Sequence, residues 1–520
     1  MSLPTQEIIS NMSHNKSIGT LLSVLLCSFV LGFLLTGCDL SKMNVNPNNP
    51  SDTEPSLLLT SLSLRTFNYA ERAPAYAARM IVETSEENPY QTFKWGRSDF
   101  GIYSTTILNA GKLKEIAEAH KHHGYRAIAL FLEAYYYYNL TLTFGDIPCS
   151  EANKAESDRI FTPQYDTQEQ VFESILDRLQ EANSLLASST QTIEGDIIYG
   201  GDPLKWQRLT NAFALRVLMT LSHKSKAGKY NVPELFRKIA TSSPIMLSAE
   251  DNGQYVPIDQ QGNRYDFFNN SSFGSGMYMS STFTDLLRNL RDPRLFAFCT
   301  QTPAAKSAGK AIDDFTAYDG GDPTIPYSLV NEKVTRGGCS KPALRYYRSP
   351  TNEPFILMGY TEQQLLLAEG VVRGWISGDD KAYYDSAVRA SFDFYAKYSS
   401  FAGDPTTQEV PKLLSPAAAD AYLAGAAAYS SSMPKEDKLK LILTQKYIPN
   451  YFQPSTWMAF YEHVRTGYPE FAMSEGMTLP ARFMYPTSEY NNNLENVTTA
   501  VERQFGKDND KITSRPWWVL

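Results

Sequence analysis

Few side chains in this sequence have the type and spacing that catalysis needs. Three histidines, His120, His122 and His123, cluster at the end of a predicted helix, and His463 follows Glu462. A metal site would need a further carboxylate or histidine from elsewhere in the chain. Cationic side chains are also favoured at a helix C-terminus, which explains the cluster without a metal. We interpret His463, in a helix end rich in Tyr and Arg, as structural.

The motifs of the common enzyme classes do not occur. The sequence contains no G-x-x-x-x-G-K-[ST] phosphate loop, no G-x-S-x-G nucleophile elbow and no H-E-x-x-H zinc pair. A glycosidase needs two carboxylates held across a cleft, and nothing singles out one pair among 56 acidic residues. The acidic runs at 313–314 and 319–322 lack the spacing of an EF-hand loop. We therefore predict no catalytic residue, no metal and no cofactor.

The composition limits the class of protein. The chain has 520 residues, of which 42% are hydrophobic and 12% aromatic, so it can bury a large core and is not a collagen, a coiled-coil rod or a disordered chain. Its net charge of −8 argues against non-specific binding to nucleic acid or to anionic lipid headgroups. The 32 tyrosines offer flat apolar faces with a polar tip, which suit helix packing and also suit sugar or peptide surfaces.

The N-terminal region predicts a lipoprotein signal. The apolar run Ile18 to Leu35 could span a bilayer, but it is followed by Leu-Thr-Gly-Cys, which resembles a bacterial lipobox. We predict that residues 1–37 are a cleaved signal peptide and that Cys38 carries the lipid; the alternative is an uncleaved signal anchor. Residues 38–56 are rich in Asn, Pro and Ser and indicate a tether.

The remaining cysteines set a limit on disulfides. Without Cys27 in the signal and the lipidated Cys38, the chain keeps Cys149, Cys299 and Cys339. Three is an odd number, so at most one disulfide forms and at least one thiol stays free. No Cys-x-x-Cys or Cys/His spacing indicates zinc.

Helix-start signals recur along the mature chain. The pattern Thr-x-x-Gln of a capping box stands at 167–170 and at 361–364. Asp-Pro at 202–203 combines an N-cap residue with proline at the first helical position. Each signal precedes an apolar run with helical spacing, so we expect a helix to begin at each of them.

The predicted helices come in neighbouring pairs. The pairs are 101–121 with 124–142, 168–187 with 203–223, and 361–376 with 381–398, and further helices are expected at 416–429 and 436–447. Each pair has roughly the size of a tetratricopeptide-like hairpin and buries its apolar stripe only against its neighbours. We therefore predict a mainly α fold with a tetratricopeptide-like helical-pair scaffold.

Two stretches differ from this helical pattern. Residues 250–355 are rich in Gly, Asn, Ser, Asp and aromatic residues, and residues 87–101 have a similar composition. Loops held by a rigid scaffold are where binding residues concentrate. We predict one domain over 57–520 that carries a loop-rich, ligand-facing excursion at about 250–355.

Several segments together resemble one protein family. They are NVNPNNPSDTEPSLLL (44–59), GYRAIALFLEAYYYYNLTLTFGDIP (124–148), RDPRL (291–295), FILMGYTEQQLLLAEGVVRGW (355–375), KLILTQKYIPNYFQPSTWMAFYEHVRTGYPE (440–470), ARFMYPTSEYNNNLENV (481–497) and the terminal Trp pair at 517–518. In this order, behind a lipobox, they are similar to the SusD/RagB-type outer-membrane lipoproteins of Bacteroidetes, in particular the SusD-like branch.

The resemblance implies a function as well as a fold. Such a protein is not an enzyme. It binds a nutrient, usually a glycan and in some members a peptide, at the cell surface, and it delivers the nutrient to a SusC-like TonB-dependent transporter in the outer membrane. The expected location is the outer membrane, lipid-anchored and facing the cell exterior. The alternatives are a peptide-binding member of the family and a surface glycoside hydrolase.

A glycan ligand would require aromatic rings for the C–H faces of sugars and polar groups for their hydroxyls. We expect these residues in the two loop-rich stretches. The predicted ligand-binding residues are Trp95, Tyr90, Phe93 and Arg97 in the first stretch, and Phe267, Phe268 and Tyr278 in the second.

Overall fold

The computed structural model describes residues 54–520, so the predicted signal peptide, Cys38 and nearly all of the predicted tether lie outside the described residues. Residues 55–520 form one compact unit. The α-helices in it are α1 (Pro55–Phe67), α2 (Ala73–Ala77), α3 (Leu108–Ala119), α4 (His123–Phe144), α5 (Gln168–Ala187), α6 (Pro203–Thr220), α7 (Val232–Ser242), α8 (Ser281–Asn289), α9 (Leu295–Phe298), α10 (Pro303–Ser307), α11 (Tyr327–Thr335), α12 (Arg345–Arg348), α13 (Tyr360–Val372), α14 (Asp380–Tyr398), α15 (Val410–Leu413), α16 (Pro416–Ala424), α17 (Lys435–Tyr447), α18 (Thr456–Thr466), α19 (Thr487–Asn492) and α20 (Leu494–Phe505). The strands are β1 (Ile81–Glu83), β2 (Lys226–Ala227), β3 (Tyr230–Asn231), β4 (Gly253–Tyr255), β5 (Met277–Met279) and β6 (Phe355–Met358).

Two of the three predicted helix starts are confirmed. Thr167 caps α5, and both the side chain of Thr167 and that of Gln170 make the hydrogen bonds of a capping box. Asp202 caps α6 by accepting hydrogen bonds from the N–H groups of Leu204 and Lys205, with proline as the first helical residue. These local signals are sufficient because each satisfies backbone donors that the helix itself leaves open.

The predicted capping box at 361–364 is wrong. Helix α13 begins one residue earlier, at Tyr360, and its N-cap is Gly359. The N–H group of Tyr360 donates to Asn252 Oδ1 at 2.8 Å. A side chain more than 100 residues away in the sequence therefore caps this helix, and no local pattern could have indicated it.

The mainly α fold with paired helices is confirmed. Helix α4 packs against α3 and α5, α5 packs against α6, and α13 packs against α14. The run of four tyrosines in α4 shows how the pairs share one core. Tyr138 is fully buried with its hydroxyl 2.8 Å from Thr220 Oγ1, and the Tyr136 hydroxyl lies 2.7 Å from Thr66 Oγ1. Only Tyr135 of the four remains half-buried.

Buried charges connect α13, α17 and α18. Arg465 and Arg373 each lie 2.8 Å from Glu369 Oε1, and Lys446 lies 3.6 Å from its other oxygen. Glu462 accepts from Lys446 at 2.7 Å and from Arg465 at 2.6 Å. Burial disfavours an ionised Glu369, but the charges of the three cations hold its pKa well below the ordinary value. The network fixes how the three helices meet.

The loop-rich stretch at 250–355 returns to the helical frame through short strand pairs. Strand β5 pairs with β1, where Met279 faces Ile81, and β6 pairs with β4. The short helices α8 to α12 lie within this stretch. The pair β1–β5 joins the stretch to a part of the chain outside it, and the pair β4–β6 joins its start to its C-terminal border. The aromatic residues of the stretch are therefore held against the helical scaffold.

Two further observations concern the described residues. Cys149, Cys299 and Cys339 are all buried free thiols, which agrees with the limit of one disulfide but shows that none forms among them. Within residues 54–520, no helix combines the length and the apolar composition needed to cross a bilayer.

Candidate functional site

The loop at 87–101 starts with a turn held by Asn88. Its Oδ1 accepts hydrogen bonds from the backbone N–H groups of Tyr90, at 3.0 Å, and Gln91, at 3.2 Å. Asn side chains commonly stabilise turns in this way. Phe93 follows with left-handed backbone, at a φ of 56°. The turn therefore sets the directions in which Tyr90 and Phe93 leave the chain.

Trp95 and Phe93 point into the molecule. Each is only 4% exposed. The Trp95 ring stacks on Phe483, with centroids 4.5 Å apart, and contacts Phe460 at 4.9 Å. A sugar needs an open aromatic face, so the structure does not offer Trp95 or Phe93 as a platform. The physical reason is that rings from distant parts of the chain cover them.

Tyr90 lies at the rim of this aromatic cluster, beside residues that the sequence did not single out. Tyr90 and Trp457 are half-buried, with centroids 6.2 Å apart. Trp457 Nε1 donates to Glu71 Oε2 at 2.9 Å, and the hydroxyl of Tyr69, which is 51% exposed, donates to Glu71 Oε1. We name Tyr69, Glu71, Tyr90 and Trp457 the tyrosine surface. Tyr69 and Glu71 come from the short connection between α1 and α2.

The same connection contacts the second predicted stretch. The N–H group of Ala70 donates to Asp266 Oδ2 at 3.3 Å, and Asn68 Nδ2 donates to the carbonyl oxygen of Arg264 at 3.0 Å. The half-buried ring of Phe268 lies 5.3 Å from the Arg264 guanidinium. The α1–α2 connection therefore lies between Tyr90 on one side and the 264–268 turn on the other.

The two other aromatic residues predicted in the second stretch lie elsewhere. Phe267 is 3% exposed and packs on Phe452 with centroids 5.3 Å apart, so its faces are covered. Tyr278 is half-buried in β5, opposite Val82, with Lys341 Nζ 4.8 Å from its ring. In the part of the chain that the structure describes, neither residue contacts the tyrosine surface.

Arg97 connects the first loop to the C-terminal segment. Its guanidinium donates to Asp510 Oδ2 and to the carbonyl oxygen of Tyr485, each at 2.5 Å, and lies 4.8 Å from the Tyr490 ring. Asp510 also accepts from Arg482 at 2.8 Å. Although burial opposes it, the charge of Arg482 and the hydrogen bond from Arg97 lower the pKa of Asp510. The observed contacts of Arg97 thus position the loop.

The electrostatics around the tyrosine surface are negative. Glu71, Asp99 and Asp266 form no ion pair within the described residues. Burial first, and then the negative charges of Glu71, Asp266 and Asp99, raise the pKa of Tyr69 well above its ordinary value. The Tyr69 hydroxyl therefore stays protonated. The surface combines aromatic rings, hydroxyl groups and carboxylate acceptors.

The histidine next to Glu462 is not arranged for acid–base chemistry. His463 Nδ1 lies 2.7 Å from the carbonyl oxygen of Pro469, and its ring stacks on Phe471 at 3.8 Å. Burial lowers the pKa of His463 to about 4. Glu462 instead accepts from Lys446 and Arg465, as described above. His463 is therefore neutral at physiological pH and holds the turn after α18.

His122 and His123 of the histidine cluster make hydrogen bonds that stabilise the connection between α3 and α4. His122 is the N-cap of α4 and accepts from the N–H group of Tyr125 at 3.3 Å. His123 Nδ1 lies 3.0 Å from Ser188 Oγ. Among the residues from 54 to 520, no group of three or more His, Cys, Asp or Glu side chains is placed to hold a metal ion.

Comparison with known proteins identifies the family. Residues 47–486 match the family SusD-like_2, described as "Starch-binding associating with outer membrane". No curated protein matches the chain.

The fold matches solved structures of similar length. An outer-membrane protein of Bacteroides vulgatus ATCC 8482, whose description connects it with nutrient binding, is 50% identical, with a TM-score of 0.86 over 90% of this chain and 100% of its own. A SusD homolog from Bacteroides fragilis NCTC 9343 is 43% identical, with a TM-score of 0.84 over 90% and 99%. A second B. fragilis homolog is 32% identical, with a TM-score of 0.82 over 90% and 100%. The chain therefore belongs to the SusD-like family.

Proposed function

We propose that this protein captures a glycan at the outer membrane on its tyrosine surface and delivers it to a SusC-like TonB-dependent transporter. The family description, which joins starch binding to the outer membrane, supports the nutrient and its location. The observation that carries the proposal is the tyrosine surface itself. Its exposed Tyr69 ring and its half-buried Tyr90 and Trp457 rings surround the carboxylate of Glu71.

The chemistry of this surface suits a sugar chain. The ring of Tyr69 offers an apolar face to sugar C–H groups. Glu71 is held in place by Trp457 and Tyr69, so its carboxylate can accept further hydrogen bonds from sugar hydroxyls without a new ordering cost. Asp266 adds a second acceptor beside Ala70. Because these groups sit on a scaffold of packed helices, the surface is formed before the ligand arrives.

We propose the lipid anchor from the sequence, on the basis of the lipobox before Cys38. Cleavage before Cys38 and lipidation of that residue would place the domain on the membrane through a short tether. Replacing Cys38 by Ser should release the mature protein from the membrane fraction and abolish labelling by a radioactive fatty acid. Membrane retention and unchanged labelling of the variant would contradict the anchor.

Ligand binding is tested with matched variants. The protein is titrated with neutral oligosaccharides, maltoheptaose among them, by calorimetry. We expect Tyr69→Ala to weaken binding about fivefold, because a lost aromatic contact contributes about 1 kcal/mol. Trp457→Phe keeps a ring but cannot donate to Glu71, so we expect it to weaken binding to a similar extent by leaving this carboxylate less firmly placed. Tyr327→Ala is the control, since Tyr327 is also exposed, at 39%, but lies on α11. Equal affinity of all four proteins for a bound oligosaccharide would remove the tyrosine surface from the site.

A peptide ligand is the second candidate, and the unpaired carboxylates favour it. Glu71, Asp99 and Asp266 could accept the ammonium or guanidinium groups of a basic peptide. Calorimetry with a lysine-rich heptapeptide and with maltoheptaose separates the two candidates.

A glycoside hydrolase is the remaining alternative. Mixtures of the protein with the same oligosaccharides are assayed for new reducing ends, which only hydrolysis would produce.

The partner is tested on native outer membranes. Affinity capture of the lipidated protein, followed by mass spectrometry, should recover a TonB-dependent barrel in near-equal amount. Recovery of the protein alone would contradict delivery to a transporter and would leave glycan capture to be judged by the calorimetry.

A further inference from the structure

Four exposed aliphatic side chains lie near the N-terminal end of α1 and the start of α6. They come from three segments of the chain and are between 40% and 69% exposed: Leu57, Ile197, Leu204 and Leu247. We name these four residues the aliphatic patch. A group of exposed apolar side chains on a folded domain commonly marks a contact surface for another molecule. None of the four residues belongs to the tyrosine surface.

Backbone contacts join the first two segments of the aliphatic patch. The turn before α6 packs tightly on the first turn of α1, since a Cβ atom at Gly195 would lie 2.1 Å from the carbonyl oxygen of Ser56. Thr60 Oγ1 also donates to the carbonyl oxygen of Gly195 at 2.7 Å. These contacts place Leu57 beside the turn that carries Ile197.

The segment after α7 joins the same region. The Tyr199 hydroxyl donates to the carbonyl oxygen of Asp251 at 2.7 Å, and Lys205 Nζ donates to that of Glu250 at 3.2 Å. The N–H group of Leu247 donates to Asp251 Oδ2 at 2.8 Å. The segment that carries Leu247 is therefore fixed against the start of α6, so the aliphatic patch is formed before a partner arrives.

The side chains around the aliphatic patch are mainly acidic. Glu194 and Glu250 are exposed, Asp202 is half-buried, and none of the three forms an ion pair within the described residues. Lys205 adds one positive charge. Segments that lie in a lipid interface usually carry Lys and Arg on their polar face, so this charge pattern argues against a lipid surface as the occupant. It fits instead a protein surface with an apolar centre and a basic rim.

The position of the aliphatic patch along the chain favours one protein partner. Residues 39–54 separate the predicted lipid at Cys38 from Pro55, and a chain of this length spans at most about 55 Å. The first turn of α1 is therefore the part of the domain that the anchor holds most directly near the membrane. A protein embedded in the same membrane meets this end of α1 at a high effective concentration.

We propose that the aliphatic patch is the face that docks on the extracellular rim of the TonB-dependent transporter. The proposal rests on the function proposed above, which names this partner, and it adds the face that meets the partner. The transporter contributes an apolar centre that covers the four side chains and basic residues opposite Glu194 and Glu250. Because the aliphatic patch and the tyrosine surface share no residue, docking and ligand binding can be tested separately.

The test compares matched variants of the lipidated protein in native outer membranes. Leu57→Asp and Leu247→Asp each place a charge in the aliphatic patch. Leu494→Asp is the control, because Leu494 is similarly exposed but lies at the start of α20. Mass spectrometry quantifies the transporter that affinity capture recovers with each protein. We expect near-equal amounts with the wild type and the control, and a loss of about tenfold or more with each patch variant, because an unpaired charge disrupts an apolar contact.

Two further measurements keep the test decisive. Urea unfolding of the purified patch variants should match that of the wild type, which shows that the variants are folded. A photo-cross-linking amino acid in place of Leu247 should link to the transporter, whereas one in place of Leu494 should not.

The possible failures of the docking face and of the proposed function differ. Equal recovery of the transporter with the patch variants overturns the docking face and leaves delivery to the transporter standing. Cross-links from position 247 only to lipid or to a second copy of this chain also overturn it. Absence of the transporter from the wild-type capture contradicts delivery itself, and the docking face with it.

Discussion

At the scale of single residues, two tryptophans that contact each other have different surroundings. Trp95 is enclosed by Phe483 and Phe460, whereas Trp457 is half-buried and donates to Glu71. In the proposed site, Trp95 is therefore part of the support and Trp457 is part of the surface. Substitutions at these positions should therefore separate stability from binding.

Trp95→Ala should destabilise the protein by about 3–5 kcal/mol, because a large buried ring leaves a cavity that its neighbours cannot fill. Urea unfolding followed by circular dichroism measures this loss, and Tyr69→Ala, at an exposed position, should stay within about 0.5 kcal/mol of the wild type. A Trp95→Ala protein with normal stability and no glycan binding would show that Trp95 is a ligand platform after all.

His463 predicts a pH dependence of stability. Burial lowers its pKa from 6.5 to about 4, so between these values the unfolded chain binds the proton and the folded protein does not. Stability is therefore full above pH 6.5 and falls as the pH falls toward 4, by up to about 1.4 kcal/mol per pH unit. His463→Gln removes this contribution. The difference in free energy of unfolding between wild type and variant should change by about 2 kcal/mol between pH 7 and pH 5; a constant difference would contradict a buried neutral His463.

Some of the site could be predicted from the sequence, and some could not. Tyr90 and Phe268 lie in the two loop-rich stretches, and both reach the neighbourhood of the α1–α2 connection. Composition alone located these stretches because loops on a rigid scaffold have a recognisable residue content. The burial of Trp95 could not be predicted, because Phe460 and Phe483, which cover it, are distant in the sequence and leave no local pattern. For the same reason, nothing in the sequence indicates that Glu71 accepts a hydrogen bond from Trp457.

At the scale of elements, local capping signals were reliable where a neighbouring residue caps the helix and failed where a distant residue does. The starts of α5 and α6 depend on residues within four positions of the helix, so the sequence shows them. The start of α13 depends on Asn252. The pairing of the helices could be predicted from the spacing of apolar residues. The ion pairs that join α13, α17 and α18 could be identified only in the structure.

Glu369 is the centre of that arrangement. Glu369→Gln should cost about 3–5 kcal/mol, because it leaves Arg465, Arg373 and Lys446 buried with too little negative charge. Chemical denaturation measures the change. Glu436→Gln, an exposed position in the first turn of α17, is the control and should stay within about 0.5 kcal/mol. A small effect at Glu369 would mean that the network does not fix the helices.

Arg97 should govern the order of the loop at 87–101. Arg97→Gln removes the hydrogen bonds to Asp510 and Tyr485, so amide hydrogen exchange in this loop should become faster, while α4 and α5 keep their protection. Lys94→Gln serves as the control because its ion pair with Glu87 is exposed. An unchanged exchange rate in Arg97→Gln would contradict this role and would show that the aromatic residues are sufficient to hold the loop. Weaker glycan binding with normal exchange would instead favour direct contact of Arg97 with the ligand.

At the scale of the whole molecule, charge should restrict the ligand. The chain carries a net charge of −8, and three of its carboxylates on and beside the tyrosine surface, Glu71, Asp99 and Asp266, form no ion pair within the described residues. An acidic polysaccharide meets like charge over its whole length, whereas a neutral one does not. The molecule should therefore select neutral or amino-bearing chains.

Salt dependence checks this selection. Affinity for a neutral oligosaccharide should change less than about twofold between 50 and 500 mM salt, and affinity for a chitosan oligomer should fall clearly over the same range, because salt screens attraction between exposed charges. Polygalacturonate should not compete with either ligand. Competition by this polyanion, with the scaffold intact, would show that cations outside the tyrosine surface dominate recognition.

The separation between a buried aromatic layer and an exposed connection has a consequence for evolution. Phe93, Trp95 and Phe483 supply the support, while Tyr69 stands on the short connection between α1 and α2 and contributes little to the core. Substitutions at such an exposed position have a small cost in stability, so they do not bring the chain to the threshold at which folding fails. If Tyr69 contacts the ligand as proposed, new ligand preferences can arise by single changes on this connection while the helical frame is inherited intact.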